Sequence, residues 1–272
     1  MALVPVPAWT DEQMALFFDS TVKAALSYGL TSIHDAATTP AMIAFMKKRW
    51  TDTHEYWGSE ISRLINYGKH GRMTVRSIKF YTDGALGSWG AALLEPYSDK
   101  LDTTGIMRST PKALANFGRT VLERWVASRV IEGKSIGGTV KANVTECRPR
   151  IEHAQIMTID DLWQMKRLGV IPSVQPMRAT SDMWYIKLAP NRIKGAYAYK
   201  TLLRGSPHHV LPLGSDFPVE GVNPLLGFYA AVSRLSVDGT SPHGEQGWYA
   251  SEALSRAEAL KGMSLDAAPV VF

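Results

Sequence analysis

Two hydrophobic periods alternate along this chain, and the alternation directs it to the α/β class. From Thr10 the pattern is helical: Met14, Phe17, Phe18, Val22, Ala25 and Leu26 share one face, and Gln13 stands at capping-box distance from Thr10. Gly29 suits the position just past that helix. Leu30 to Ala36 then reads as a buried strand ending in His34 and Asp35, and Pro40 opens a second helix to about Arg49. Further strands are expected at Thr74–Tyr81, Arg150–Ala154, Val170–Gln175 and His209–Gly214. Helices are expected over about 59–68 and 112–132, from Thr158 to before Gly169, and near 223–234 and 251–263. Strands that alternate with helices predict an all-parallel α/β fold. Five strands are too few to close an eight-stranded barrel.

Composition narrows the function classes. Eight Trp, ten Tyr and eight Phe in 272 residues are too many for a solvated coil. No apolar run approaches 18 residues and mean hydropathy is -0.10, so no membrane helix and no membrane partner is expected. The net charge of +5 is scattered, with only Lys47, Lys48 and Arg49 adjacent, and no nucleic-acid motif accompanies it. A single cysteine, Cys147, makes no internal disulfide and favours a reducing, cytoplasmic setting. The N-terminus lacks the charged and apolar regions of a signal peptide.

Polar residues at the expected strand ends are the candidates for chemistry. Lys79 lies in SIKFYTDG with Asp83 four residues on, His153 ends RIEH, and Asp216 ends LPLGSD. Parallel α/β folds assemble their sites at the C-terminal ends of strands. Imidazole and carboxylate suit zinc and similar ions, and a carboxylate beside activated water can take its proton. Each residue also has a structural reading: a hydrogen-bonded strand-end histidine, a turn aspartate before Phe217-Pro218, a lysine snorkelling from its strand, an Asp-Gly turn. Asp83 to Asp99 is Gly-rich and too long for an ordinary connection. Asn143-Val144-Thr145 fits a glycosylation sequon by chance, His208-His209 reads as structural, and no GxSxG elbow surrounds any serine.

Three longer strings resemble one family. They are VRSIKFYTDGALGSWGAALLEPY (Val75 to Tyr97), RIEHAQIMTIDDLWQMKRLGVIPSVQPMRATSDMWY (Arg150 to Tyr185) and LPLGSDFPVEGVNPLLGFYAAVSR (Leu211 to Arg234). Together they resemble the metal-dependent amidohydrolase superfamily, amidohydrolase-3 group, over nearly the whole chain. The resemblance implies one domain over residues 1–272, a (β/α)₈ TIM-barrel-type fold, and hydrolysis of carbon–nitrogen bonds other than peptide bonds in small amide-type substrates. It implies a divalent metal, zinc by expectation, held by Lys79 (as a carbamate), His153 and Asp216, with Asp216 also moving the proton. Asp83, Gln175 and Arg178, in the same strings, are expected at the substrate.

The chain departs from the family pattern. The His-x-His and His-x-Ile-Gly-Asp strings are absent, an expected strand after Arg49 is missing, and Gln175-Pro176-Met177-Arg178-Ala179 replaces Gln-Pro-x-His-Ala. The barrel is therefore expected to be incomplete, with unpaired edges that favour self-association. Arg178 adds a fixed positive charge that opposes a cation. The alternative is a catalytically dead, truncated remnant, or a small-molecule-binding protein with Trp89, Trp184 and Tyr185 lining its pocket.

Overall fold

The computed structural model describes residues 8–35, 38–50, 64–75, 79, 81–108, 110, 112, 148–184 and 193–268. The chain divides into two compact units, Met1–Lys79 and Phe80–Phe272. The helix expected over 112–132, Asn143 and Cys147 fall outside the described residues, apart from Lys112.

In the first unit, helix α1 (Asp11–Ser27) starts where its caps dictate. The Gln13 N–H donates to Thr10 Oγ1 at 3.2 Å, and the Thr10 N–H donates to Gln13 Oε1 at 3.0 Å. Together they satisfy two of the N–H groups that a helix start leaves unpaired. Helix α2 (Pro40–Trp50) faces α1 through Phe45, whose ring lies 6.2 Å from that of Phe18, and Lys48 pairs with Asp11 at 2.8 Å. Strands β1 (Leu64–Tyr67) and β2 (Met73–Val75) form an antiparallel hairpin, with Leu64 opposite Val75 and Tyr67 opposite Met73.

Two expectations are corrected in this unit. Residues 64–67 are a strand where a helix was expected, because Gly68 (φ 78°) and Gly71 (φ 62°) fold the chain back and give LINY a partner. Thr31 to Asp35 are exposed and form no strand among the described residues. Leu30, Ile33 and Ala36 are too few apolar positions to hold that run in a core.

The second unit carries the parallel α/β pattern. Strand β3 (Arg150–Glu152) pairs in parallel with β4 (Ile171–Ser173), Arg150 opposite Ile171 and Glu152 opposite Ser173. Helix α3 (Ile159–Leu168) makes the crossover. It is capped by Thr158, which accepts from the Asp161 N–H at 3.1 Å, and it ends at Gly169 (φ 68°), a left-handed residue that glycine adopts without strain. Leu162 and Met165 are its buried positions. A third strand position continues the sheet: Val174 pairs in parallel with Leu213, with Val174 N–H to Pro212 O at 3.1 Å and Gly214 N–H to Val174 O at 3.0 Å. Only Leu213 is bridged there, so the strand expected over His209–Gly214 is shorter, and Pro207–His209 is a tight turn instead.

Helices α4 (Pro176–Asp182), α5 (Tyr199–Gly205), α6 (Pro224–Ser233) and α7 (Arg256–Met263) follow among the described residues of this unit. Its core gathers Ala154, Leu162, Val174, Ala179, Leu203, Leu211 and Ala231 around Tyr197 and Tyr199. Arg234 is fully buried here, its guanidinium 5.0 Å from the Tyr199 ring and 5.3 Å from the Trp248 ring. Arg234 donates to the Trp248 and Tyr197 carbonyls at 2.9 and 3.1 Å. Burial lowers its pKa and raises that of Tyr199, both through the cost of charge in an apolar interior.

Candidate active site

The strand ends of the second unit bring His153 and Asp216 together. His153 follows β3 and Asp216 follows the Leu213 pairing, so both sit at the C-terminal side of the two parallel positions that flank β4 and its continuation at Val174. Their side chains converge, with His153 Nε2 at 3.7 Å from Asp216 Oδ1. Both are partly buried and both hold a left-handed backbone, φ 56° at His153 and φ 60° at Asp216. Such conformations are uncommon for residues with a Cβ, though Asn, Asp and His adopt them more readily than most. The bond from the Val219 N–H to Asp216 O, 2.8 Å, fixes the turn that carries Asp216.

The second partner of Asp216 is Arg178, in the first turn of α4. Arg178 Nη2 donates to Asp216 Oδ2 at 2.7 Å, a charge-assisted bond between groups 22% and 28% exposed. Arg178 Nη1 lies 3.7 Å from Glu220 Oε1, and the Ser181 hydroxyl donates to that same oxygen at 3.2 Å. Burial alone would pull the Arg178 guanidinium down, but the bond and charge of Asp216, with Glu220 and Asp182, outweigh it and raise its pKa. One guanidinium thus stands between two carboxylates.

The remaining expected residues are placed differently. Gln175 precedes α4 and is 5% exposed, and its side-chain carbonyl oxygen has no hydrogen-bond partner. Asp83 organises its own loop: its Oδ2 accepts the Ala92 N–H at 2.9 Å and its Oδ1 accepts the Thr82 hydroxyl at 3.2 Å. Lys79 is partly buried and is the last residue of the first unit, whereas His153 and Asp216 belong to the second. Trp89 and Trp184 are half exposed and bonded to Asp99 and Ser236, at 3.3 and 2.9 Å. Tyr185 lies outside the described residues.

Residues that sequence reasoning did not single out surround the pair. Glu220 follows Asp216 in the DFPVE turn, and its acidic character four residues on was the available signal. Behind Arg178, the Tyr197 hydroxyl donates to the buried Asp182 carboxylate, and Gln155 Nε2 donates to Tyr197 Oη at 3.2 Å. No local spacing announces that network.

A model of the family described as "Amidohydrolase family" matches residues 1–272. The chain belongs to the amidohydrolase family. It is 31% identical to the putative amidohydrolase YtcJ of Bacillus subtilis (strain 168) over 72% of this chain and 38% of that protein. It is equally 31% identical to protein LONG AFTER FAR-RED 3 of Arabidopsis thaliana, over 72% of this chain and 34% of the relative. The chain therefore spans little more than a third of the length of these relatives.

Among solved structures, an uncharacterized metal-dependent hydrolase from Pyrococcus furiosus superposes with a TM-score of 0.71 at 24% identity, over 96% of this chain and 56% of that one. A counterpart from Pyrococcus horikoshii OT3 gives 0.62 at 26% identity, over 95% and 49%. The first likeness establishes a shared fold.

Proposed function

We propose that this amidohydrolase-family chain carries the hydrolytic core of an enzyme that cleaves carbon–nitrogen bonds, other than peptide bonds, in small amide-type molecules. The observation that supports the reading most directly is the convergence of His153 and Asp216, 3.7 Å apart at the ends of the two strand positions on either side of β4. As a carboxylate, Asp216 takes a proton from the water that attacks the amide carbonyl. As the acid it then forms, Asp216 returns that proton to the nitrogen as the C–N bond breaks. His153 lies close enough to orient Asp216 through its Oδ1 side. Arg178 is the best placed of the expected substrate contacts, since Asp83 holds its own loop and Gln175 is buried. The TIM-barrel-type fold, a single domain over residues 1–272, belongs to the same proposal and is supported by a family match across both units.

Family membership supports a divalent metal as the family's cofactor, and zinc is the ion that the resemblance leads one to expect. The described residues do not complete a place for it. No three His, Cys, Asp or Glu side chains gather in a ligating cluster among them, and the guanidinium of Arg178 already bonds the Oδ2 of Asp216. A catalytic zinc usually takes three protein ligands. The bond from Arg178 also favours a second reading, in which the site binds a small amide-type molecule without turning it over.

No helix among the described residues is long and apolar enough to cross a membrane. A cytoplasmic location and the absence of nucleic-acid partners rest on the single cysteine and the scattered charge, and are part of this proposal. Self-association belongs with it, supported by exposed apolar side chains such as Leu94 and Leu101.

A panel of small amides tests the function. Wild-type chain is expected to hydrolyse at least one member, and Asp216→Ala to lower kcat/KM about 100-fold or more, the lower range for a general base. A folded wild-type chain that turns over no amide, yet is thermally stabilised by one of them, would replace this reading with the binding one.

A further inference from the structure

We infer that Arg178 is the resident cation of this site: its guanidinium occupies the electrostatic place of a divalent ion against Asp216 and Glu220, and so excludes the ion. The inference rests on the reading of His153 and Asp216 as the active-site pair. Three observations carry it. Arg178 Nη2 takes Asp216 Oδ2 at 2.7 Å, which removes one of the two oxygens that a metal could use. Arg178 Nη1 lies 3.7 Å from Glu220 Oε1, so one positive group is set against both carboxylates at once. Both pairs are partly shielded, with side-chain exposures of 22% for Arg178, 28% for Asp216 and 14% for Glu220, so solvent screens the charges only in part.

The chemistry of exclusion is simple. A divalent ion brought to Asp216 meets a guanidinium that cannot be neutralised by losing a proton at any ordinary pH. It must either displace Arg178 from its charge-assisted bond or share Asp216 with a like charge. With Arg178 replaced by a neutral side chain, Asp216 and Glu220 are left without the cation that balances them, beside the imidazole of His153. That leaves one nitrogen and two carboxylate donors of the kinds that divalent ions take, which form no ligating cluster as they stand and must draw together on the ion.

Cobalt(II) titrations of the full chain, followed by visible absorption and calorimetry without substrate, test this. The panel is wild type, Asp216→Asn, Arg178→Lys, Arg178→Gln, Arg178→His and the double variant Arg178→Gln/His153→Ala. Circular dichroism and thermal melting establish that each is folded. Wild type and Arg178→Lys are expected to bind no ion at this site, because both keep the positive charge. Arg178→Gln and Arg178→His are expected to bind cobalt at least tenfold more tightly than wild type, equivalent to about 1.4 kcal/mol. The double variant is expected to lose that gain.

A wild-type chain that binds one cobalt, loses it on Asp216→Asn and is unchanged by Arg178→Gln overturns the inference. Folded Arg178→Gln and Arg178→His chains that gain no affinity overturn it as well. Should neither variant fold, the wild type alone decides, since binding that depends on Asp216 is enough to refute exclusion. Because metal binding is read without turnover, failure of the amide panel leaves this result standing.

Discussion

Replacing Glu258 by Gln isolates one charge in a described, partly shielded setting. Glu258 is the third residue of α7 and closes its capping box: the Ser255 N–H donates to Glu258 Oε2 at 2.8 Å, and the Glu258 N–H donates to Ser255 Oγ at 3.2 Å. The Lys200 ammonium, from α5, donates to Oε1 at 2.6 Å and also reaches Oε2. Partial burial by itself would raise the Glu258 pKa, but Lys200 and the Ser255 donors overcome it and bring it from the ordinary 4.5 to about 2. At about 1.4 kcal/mol per tenfold, that depression sets an upper bound of about 3 kcal/mol of stability. The side chain is 29% exposed, so solvent screening reduces the expected effect to about 1–2 kcal/mol. The sign follows from linkage: a carboxylate depressed in the folded state stabilises fully above its unfolded value, near 4.5, and loses the contribution as pH falls toward about 2. Urea unfolding by tryptophan fluorescence, run on wild type and Glu258→Gln between pH 7 and pH 3, should show a difference that is largest at neutral pH and shrinks below about pH 4.5. A difference that stays constant across that range, or is absent at pH 7, would refute the reasoning.

Two further perturbations probe how the second unit holds its sheet. Asp266 is 2% exposed and accepts the Leu211 N–H at 3.0 Å together with the Lys261 ammonium, so Asp266→Ala should cost about 3 kcal/mol by leaving both donors unpaired; differential scanning calorimetry would read it as a lowered Tm, and an unchanged Tm would show that the pair holds nothing. Gly195 lies where an added Cβ would fall 1.8 Å from the Met157 carbonyl oxygen, beside the Ile156–Ala196 bridge, so Gly195→Ala should destabilise by about 2–3 kcal/mol; urea midpoints equal to wild type would mean that this backbone yields freely.

The parts of this molecule that the sequence spelled out are those whose partners lie within one turn. Thr10 with Gln13, Thr158 with Asp161 and Gly169 are capping devices of three or four residues, and each predicted boundary stands in the structure. The third unit of the same logic, Ser255 with Glu258, places α7 but went unnoticed because the expected helix began at 251. Strand identity is a weaker signal. LINY and LTSIHDA are both short, and which of them forms a strand depends on whether a second segment lies beside it, which the Gly68–Gly71 turn supplies to the first alone. Likewise the strand over His209–Gly214 shrinks to a single bridged position, because two left-handed histidines turn the chain ahead of it.

The candidate site divides along the same line. Its residue types were legible, since a histidine and an aspartate closing two parallel strands have one direction in which to converge, and they do so at 3.7 Å. What the sequence could not carry is the pairing of those residues with others 38 positions away, such as Arg178 with Asp216. Composition records a positive charge in the QPMRA string; only the fold shows that its hydrogen bond ends on the carboxylate expected to hold a metal. The same displacement recurs at Arg234, whose buried guanidinium bonds carbonyls through Nε and Nη1 and lies against aromatic faces, with its Nη2 left without a hydrogen-bond partner. A cation's effect on a site is therefore set by its bonded partner, and for Arg178 that partner is the group on which both proton transfer and metal binding would depend. Catalysis by Asp216 in this chain must accordingly work with Arg178 in place, or wait on its release.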